Sequence, residues 1–118
     1  MTSNARAPRP IAEVARLVHG HGARLCVDGV ACAPHRAVDV QALGADFYAF
    51  SFYKTFGPHY ALLYGKHAHL RRLPGINHFF IGPEAVPYKF QPGNVNFELC
   101  AGMLGLWDYL QAFAAAHG

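Results

Sequence analysis

Three short apolar segments limit what this chain can fold into: residues 24–28 (RLCVD), 46–51 (DFYAFS) and 60–64 (YALLY). The first two read as buried strands and the last as a third strand. The first follows residues 11–19, IAEVARLVH, whose apolar side chains at 11, 14, 15 and 18 share one helical face. Pro10 suits the start of that helix, and Gly20 and Gly22 suit its end. A helix running into a buried strand is half of a parallel α/β unit. The loop between the second and third strands is too short to hold a crossover helix, so those two strands are expected to be antiparallel neighbours.

The remaining segments are read with the same rules. Residues 29–38 are irregular around Pro34, and Asp39 is placed to cap a single helical turn through Val40, Ala42 and Leu43. Residues 66–73 form a short basic helix. Pro74, Pro83, Pro87 and Pro92 make 74–96 a long, mostly extended connection, with a strand expected at 77–81. Loops this long in compact domains usually carry function or contact something else. Residues 97–116 are expected to form one strong helix, capped by Asn94 or Asn96. Leu99, Met103, Leu106, Trp107, Leu110, Phe113 and Ala114 make its apolar stripe, read as a core face.

In an open α/β sheet, ligands bind beyond the carboxyl ends of the strands. Asp28 stands at the tip of the first strand, and Ser51 to Lys54 lie at and just past the tip of the second. A carboxylate and an amine at neighbouring tips suit pyridoxal 5'-phosphate (PLP). That cofactor needs a lysine for its Schiff base and a carboxylate beside its pyridine nitrogen. It also needs hydroxyls and N–H groups for its phosphate. Taken singly, Lys54 reads as a solvated surface lysine, Asp28 as a turn residue and Ser51 as a loop cap.

The order VDGVACAPHRAVDVQALGADFYAFSFYKTFGPHYALLYGK resembles the core of PLP enzymes of the class V aminotransferase and cysteine desulfurase superfamily. The resemblance runs through Val27-Asp28-Gly29, Pro34-His35, Asp39-Val40, Asp46-Phe47, Ser51-x-x-Lys54 and Gly57-Pro58 to Leu63-Tyr64. PGNVNFE at 92–98 is similar to the family's Gly-Thr-x-Asn-x-Glu segment, and Ser3-Asn4 to the end of a preceding strand. Tyr53 before the lysine and Gly-Pro-His after it look most like the cysteine desulfurase-like branch. The resemblance implies an α/β fold: part of a fold-type-I PLP-dependent transferase large domain, an incomplete, mostly parallel sheet with flanking helices. It implies Lys54 as the Schiff-base lysine and proton shuttle, Asp28 as the partner of the pyridinium nitrogen, and Ser51 as a phosphate donor; Tyr53, beside the lysine, reads either as a further phosphate donor or as a packing residue. Asn94 would lie where the family's Gly-Thr pair reaches the phosphate of a partner subunit's cofactor. The implied substrate is an amino acid, cleaved at Cα or Cβ, and the implied assembly is a homodimer.

Departures from the family pattern are equally specific. Ala31 stands where a polar side chain usually bonds the ring hydroxyl, Asn94 replaces a threonine, and Tyr53 replaces a common histidine. No counterpart of the ring-stacking aromatic, the Gly/Thr phosphate loop, the substrate-binding arginine or the desulfurase's mobile cysteine is found. The expectation is therefore a slice, 1–118, of the PLP-binding domain, with 97–118 beginning the long helix toward a C-terminal domain, and little turnover in isolation. The rival reading is a non-catalytic remnant or assembly subunit.

Other signals are weaker. His67-x-His69 with His78 lacks the paired spacing of a zinc site, and i and i+2 on a helix point apart. His35 and His59 flank the proposed site and read as structural histidines bonded to backbone. Cys26, Cys32 and Cys100 are irregularly spaced, which points to reduced thiols and a cytoplasmic setting, with Cys32 read as a buried, inert thiol. The seven arginines form no cluster, against a nucleic-acid surface. No apolar run approaches the roughly 20 residues of a membrane span. Only 14% of residues are charged while 53% are hydrophobic, too few charges to cover an independent domain of 118 residues. Exposed apolar patches and self-association are the expected result.

Overall fold

A computed structural model of the chain describes residues 10–117; Ser3-Asn4 lies outside them. Helix α1 (Ile11–Gly20) leads into β1 (Cys26–Asp28), followed by β2 (Phe47–Ser51), β3 (Ala61–Gly65), α2 (His67–Arg72), α3 (Phe97–Gly102) and α4 (Leu104–His117). The strands form one sheet in the order β1-β2-β3. β1 and β2 are parallel, with Asp28 opposite Ala49, and β2 and β3 are antiparallel, with Ser51 opposite Ala61. The hairpin expected from the short second loop is therefore present. The architecture is a small mixed sheet with flanking helices, part of an α/β fold.

Local chemistry explains the joints. Gly22 and Gly44 both have positive φ, at 72° and 68°, where a side chain would be strained. Asp39 accepts hydrogen bonds from the N–H groups of Gln41 and Ala42, and so holds the expected turn, which stops short of a helix. α1 lies on this turn: a Cβ on Gly44 would come within 3.1 Å of that of Ala15.

Beneath the sheet sits a buried charge. Asp46, just ahead of β2, is 2% exposed. It accepts hydrogen bonds from His19 Nε2 (2.7 Å), Lys66 Nζ (2.8 Å), His69 Nε2 (3.0 Å) and the Leu25 N–H (2.8 Å). A carboxylate only accepts, so each imidazole carries its proton on Nε2 here. The carboxylate thereby ties α1, the entry to β1, the exit of β3 and α2 to one point. Burial pushes its pKa up, but the Lys66, Leu25, His19 and His69 hydrogen bonds outweigh that and hold it well below the usual carboxylate range. Lys89, 1% exposed, makes a second joint by donating to the carbonyls of Arg71 (3.1 Å) and Leu73 (2.8 Å) at the end of α2.

Four expectations are corrected, and the choice between two capping residues is settled. No strand forms at 77–81; His78 N–H turns back onto Asn77 Oδ1, Ile81 N–H bonds to His78 O, and a single 3-10 turn follows at Tyr88–Phe90. The helix over 97–116 divides at Met103 into α3 and α4, between Gly102 and Gly105, two residues of poor helix propensity. Asn96, not Asn94, caps it, accepting from the Leu99 N–H at 2.9 Å. The apolar stripe is not a core face among the described residues: Trp107 is 65% exposed and Phe113 53%. Cys32 is exposed rather than buried.

The deeply buried hydrophobic residues among those described are Ala15, Ala45 and Tyr48. Phe79, Phe80, Phe97, Leu63 and Leu104 are exposed. Low charge and a thin core thus go together, as the composition led one to expect.

Candidate functional site

The site is built on the edge where two parallel strands end. Because Asp28 lies opposite Ala49, it shares a sheet face with Ala49 and with Ser51, two residues further along β2. Ala61, opposite Ser51, adds another small side chain to the same face. The edge is therefore a shallow platform of small residues flanked by a carboxylate and a hydroxyl. Asp28 is exposed, and one oxygen accepts the Val30 N–H at 3.0 Å, which fixes the carboxylate in an Asx-type turn. The Gly29 N–H extends the ladder to Ala49 O at 2.8 Å.

Gly29 is required by packing. A Cβ there would lie 2.0 Å from the Tyr48 hydroxyl oxygen. The Tyr48 phenol is buried beneath the turn, and its hydroxyl lacks a hydrogen-bond partner among the described residues. Burial, and after it the neighbouring Cys32 and Asp28, pushes its pKa up, so the hydroxyl stays protonated.

Past Ser51 the chain enters a single 3-10 turn, Phe52–Lys54, then a tight loop to β3. The Phe52 carbonyl accepts from the N–H groups of Thr55 (2.9 Å) and Gly57 (2.8 Å) and from Thr55 Oγ1 (3.1 Å). Gly57 must be small: its Cβ would meet Phe52 Cβ at 2.9 Å. Phe56 has a φ of 65°, a strained conformation for an aromatic residue. The Phe52 N–H then bonds to Tyr60 O at 2.8 Å, closing the loop.

Lys54 ends the turn that follows β2, and Asp28 ends β1, its parallel neighbour. Lys54 is exposed and takes no part in the ion pairs found among the described residues. Ser51 occupies the position ahead of the 3-10 turn, yet its side chain makes no capping hydrogen bond. The loop-cap reading of Ser51 therefore fails, and its hydroxyl is available. Tyr53 is 59% exposed and stacks on His59, with ring centroids 3.9 Å apart and planes 21° apart. Sequence reasoning took His59 as a structural histidine on backbone; the stack brings it to the site, and no local pattern announces such a contact. Asn94 is exposed in the segment ahead of α3, apart from these contacts.

The donor set fits PLP in kind: an uncommitted amine, a carboxylate held by one backbone N–H, and hydroxyls from Ser51 and Tyr53. A cavity of about 330 Å³ lies on the opposite sheet face, lined by Tyr48, Phe50, Leu62, Tyr64, Leu106 and Leu110. Its wall is mostly apolar, with Arg36 and Thr55 also on it, and contains none of these groups. His69, one of the possible metal ligands considered above, is bonded to Asp46 instead. No described helix is long and apolar enough to cross a membrane.

Comparison with known proteins identifies the family and the fold. Residues 7–117 match the family described as Aminotransferase class-V. The chain is 50% identical over 105 residues to the nonribosomal peptide synthetase-like enzyme fsqF of Aspergillus fumigatus, covering 86% of this chain and 7% of that protein. It is 46% identical over 104 residues to the cysteine desulfurase-like protein ustD of Aspergillus flavus, covering 86% of this chain and 24% of the relative. Among solved structures, the cysteine desulfurase CsdA of Escherichia coli superposes with a TM-score of 0.76 at 29% identity, over 86% of this chain and 28% of that one. The chain thus spans between 7% and 28% of the length of these relatives. By sequence and by fold, the chain belongs to the aminotransferase class-V family and forms part of an α/β domain of fold type I.

Proposed function

We propose that this chain supplies the cofactor lysine and its electrostatic partner to a PLP-dependent enzyme acting on an amino acid. The observation that supports the reading is that Asp28 ends β1 and Lys54 closely follows the end of β2, its parallel neighbour. Bound there, PLP would supply an electron sink for bonds at the amino acid's α-carbon. Lys54 supplies the amine that holds the cofactor's aldehyde carbon and carries a proton to and from the substrate Cα. Asp28 holds the proton at the pyridine nitrogen. Ser51 and Tyr53 donate to the phosphate, and Asn94 is assigned to a partner subunit's cofactor in a homodimer. Because the chain spans about a quarter of the length of ustD and CsdA, it is expected to show little turnover alone. Amino-acid-dependent transamination or sulfide release by the purified 118 residues would contradict that.

The cofactor site is tested by mixing the protein with PLP, reducing with borohydride and mapping adducts by mass. The Lys54 amine and the aldehyde lose water to form a C=N bond, which hydride reduces to a stable secondary amine. The expected result is one adduct, at Lys54, that disappears in Lys54→Ala. Equal labelling of Lys54 and Lys66 would instead support the non-catalytic reading, a remnant or assembly subunit without cofactor chemistry.

A further inference from the structure

We propose that His59 is a positioning residue for the cofactor phosphate: its ring, stacked on Tyr53, holds the phenol as an anion donor beside Lys54. This rests on the PLP reading above and extends it to a residue outside the cofactor-binding set. Tyr53 is 59% exposed, so no core packing orients it; its ring stacks on that of His59, with centroids 3.9 Å apart, which limits its rotation. His59 is well placed for this task. It lies between Pro58, which fixes its own φ, and Tyr60, whose N–H bonds to Pro58 O at 2.7 Å and whose carbonyl takes the Phe52 N–H at 2.8 Å. The backbone at 58–60 is thus clamped to the residue next to Tyr53. A flat ring on a clamped backbone restricts the neighbouring phenol, and a restricted donor loses less entropy when it binds an anion. Ser51, at the end of β2, brings a second hydroxyl to the same edge.

The consequence is a preference for phosphorylated over unphosphorylated pyridoxal that depends on His59. The experiment measures the concentration dependence of the borohydride-trapped Lys54 adduct with PLP and with pyridoxal, using inorganic phosphate as competitor. In the unaltered chain, PLP should half-saturate Lys54 at a concentration about tenfold lower than pyridoxal, the effect of one charge-assisted hydrogen bond. Phosphate should compete with PLP alone. His59→Ala should reduce the PLP preference several-fold and leave pyridoxal labelling in place. Tyr53→Phe should do the same by removing the donor. His59→Phe, which keeps a flat ring, should retain most of the preference. If His59→Ala weakens PLP and pyridoxal equally, His59 serves only the loop and the proposal fails. An undiminished preference in His59→Ala also overturns it. Absence of any Lys54-specific adduct with either aldehyde overturns the underlying PLP reading instead, and the proposal with it.

Discussion

The Tyr48 phenol occupies the space that a side chain on Gly29 would need, with its hydroxyl oxygen 2.0 Å from where the Cβ would stand. Asp28 precedes that glycine directly, so the carboxylate of the candidate site is held from below by a residue on the neighbouring strand. Gly29→Ala must therefore displace Tyr48 or lift the turn off Ala49. The expected cost is about 1–3 kcal/mol, as for overpacking elsewhere. Chemical denaturation would show the loss, and Tyr48→Leu in the same background should recover part of it. Strict additivity of the two changes would show that the contact does not matter.

Removing only the Tyr48 hydroxyl should have the opposite sign. That oxygen is buried without a partner among the described residues. Tyr48→Phe keeps the ring and removes an uncompensated polar atom, so stability should be unchanged or rise by up to about 1 kcal/mol. A loss of more than that in a denaturant titration would mean that the hydroxyl has a partner in solution.

Asp46 makes stability depend on pH in a definite direction. Its pKa in the fold lies below the ordinary value of 3.8. The unfolded chain therefore binds the proton first on acidification. The contribution of Asp46 is fully present above the ordinary value and is lost as pH falls from there toward the folded value. Circular dichroism of the chain from pH 7 downward should show that loss below about pH 4. Asp46→Asn should flatten this acid limb and cost about 2–4 kcal/mol at neutral pH, since the shared negative charge goes and one of the two acceptor oxygens becomes an amide donor facing other donors. An unchanged acid limb in that variant would place the loss elsewhere.

Exposed aromatic and aliphatic side chains should make the chain self-associate. Trp107, Phe79, Phe80 and Leu104 are each at least 65% exposed. Gel filtration of the purified chain is expected to show species larger than a monomer, shifting toward monomer in a Trp107→Glu, Phe79→Ser double variant. A sharp monomer peak for the unaltered chain would contradict this.

Local signals in the sequence carried the hairpin and α1: a loop too short for a crossover fixes strand direction, and apolar side chains at 11, 14, 15 and 18 fix a helical face. The tips of β1 and β2 were legible too, because a residue at a strand end needs no tertiary information to be placed there. What the sequence hid was non-local. The partners of Asp46 lie between 20 and 27 residues away for its side-chain contacts. The Tyr53–His59 stack depends on how the 52–60 loop closes, and Gly29 looks like an ordinary turn glycine until Tyr48 is seen beneath it. The division at Met103 was missed because apolar periodicity continues across it, while the two neighbouring glycines weaken the backbone rather than the pattern. The apolar stripe of α4 was legible as a stripe, yet a stripe does not tell which surface covers it.

The burial of Lys89 gives amine chemistry on this protein a built-in clock. The chain has three lysines, at 54, 66 and 89. Lys54 is exposed and Lys66 half-buried, but Lys89 sits at 1% exposure with its ammonium spent on two helix-end carbonyls. A reagent can modify it only in molecules whose α2 joint has opened. In any aldehyde or acylation experiment, the ratio of label at 89 to label at 54 therefore counts opened molecules against those presenting an intact edge.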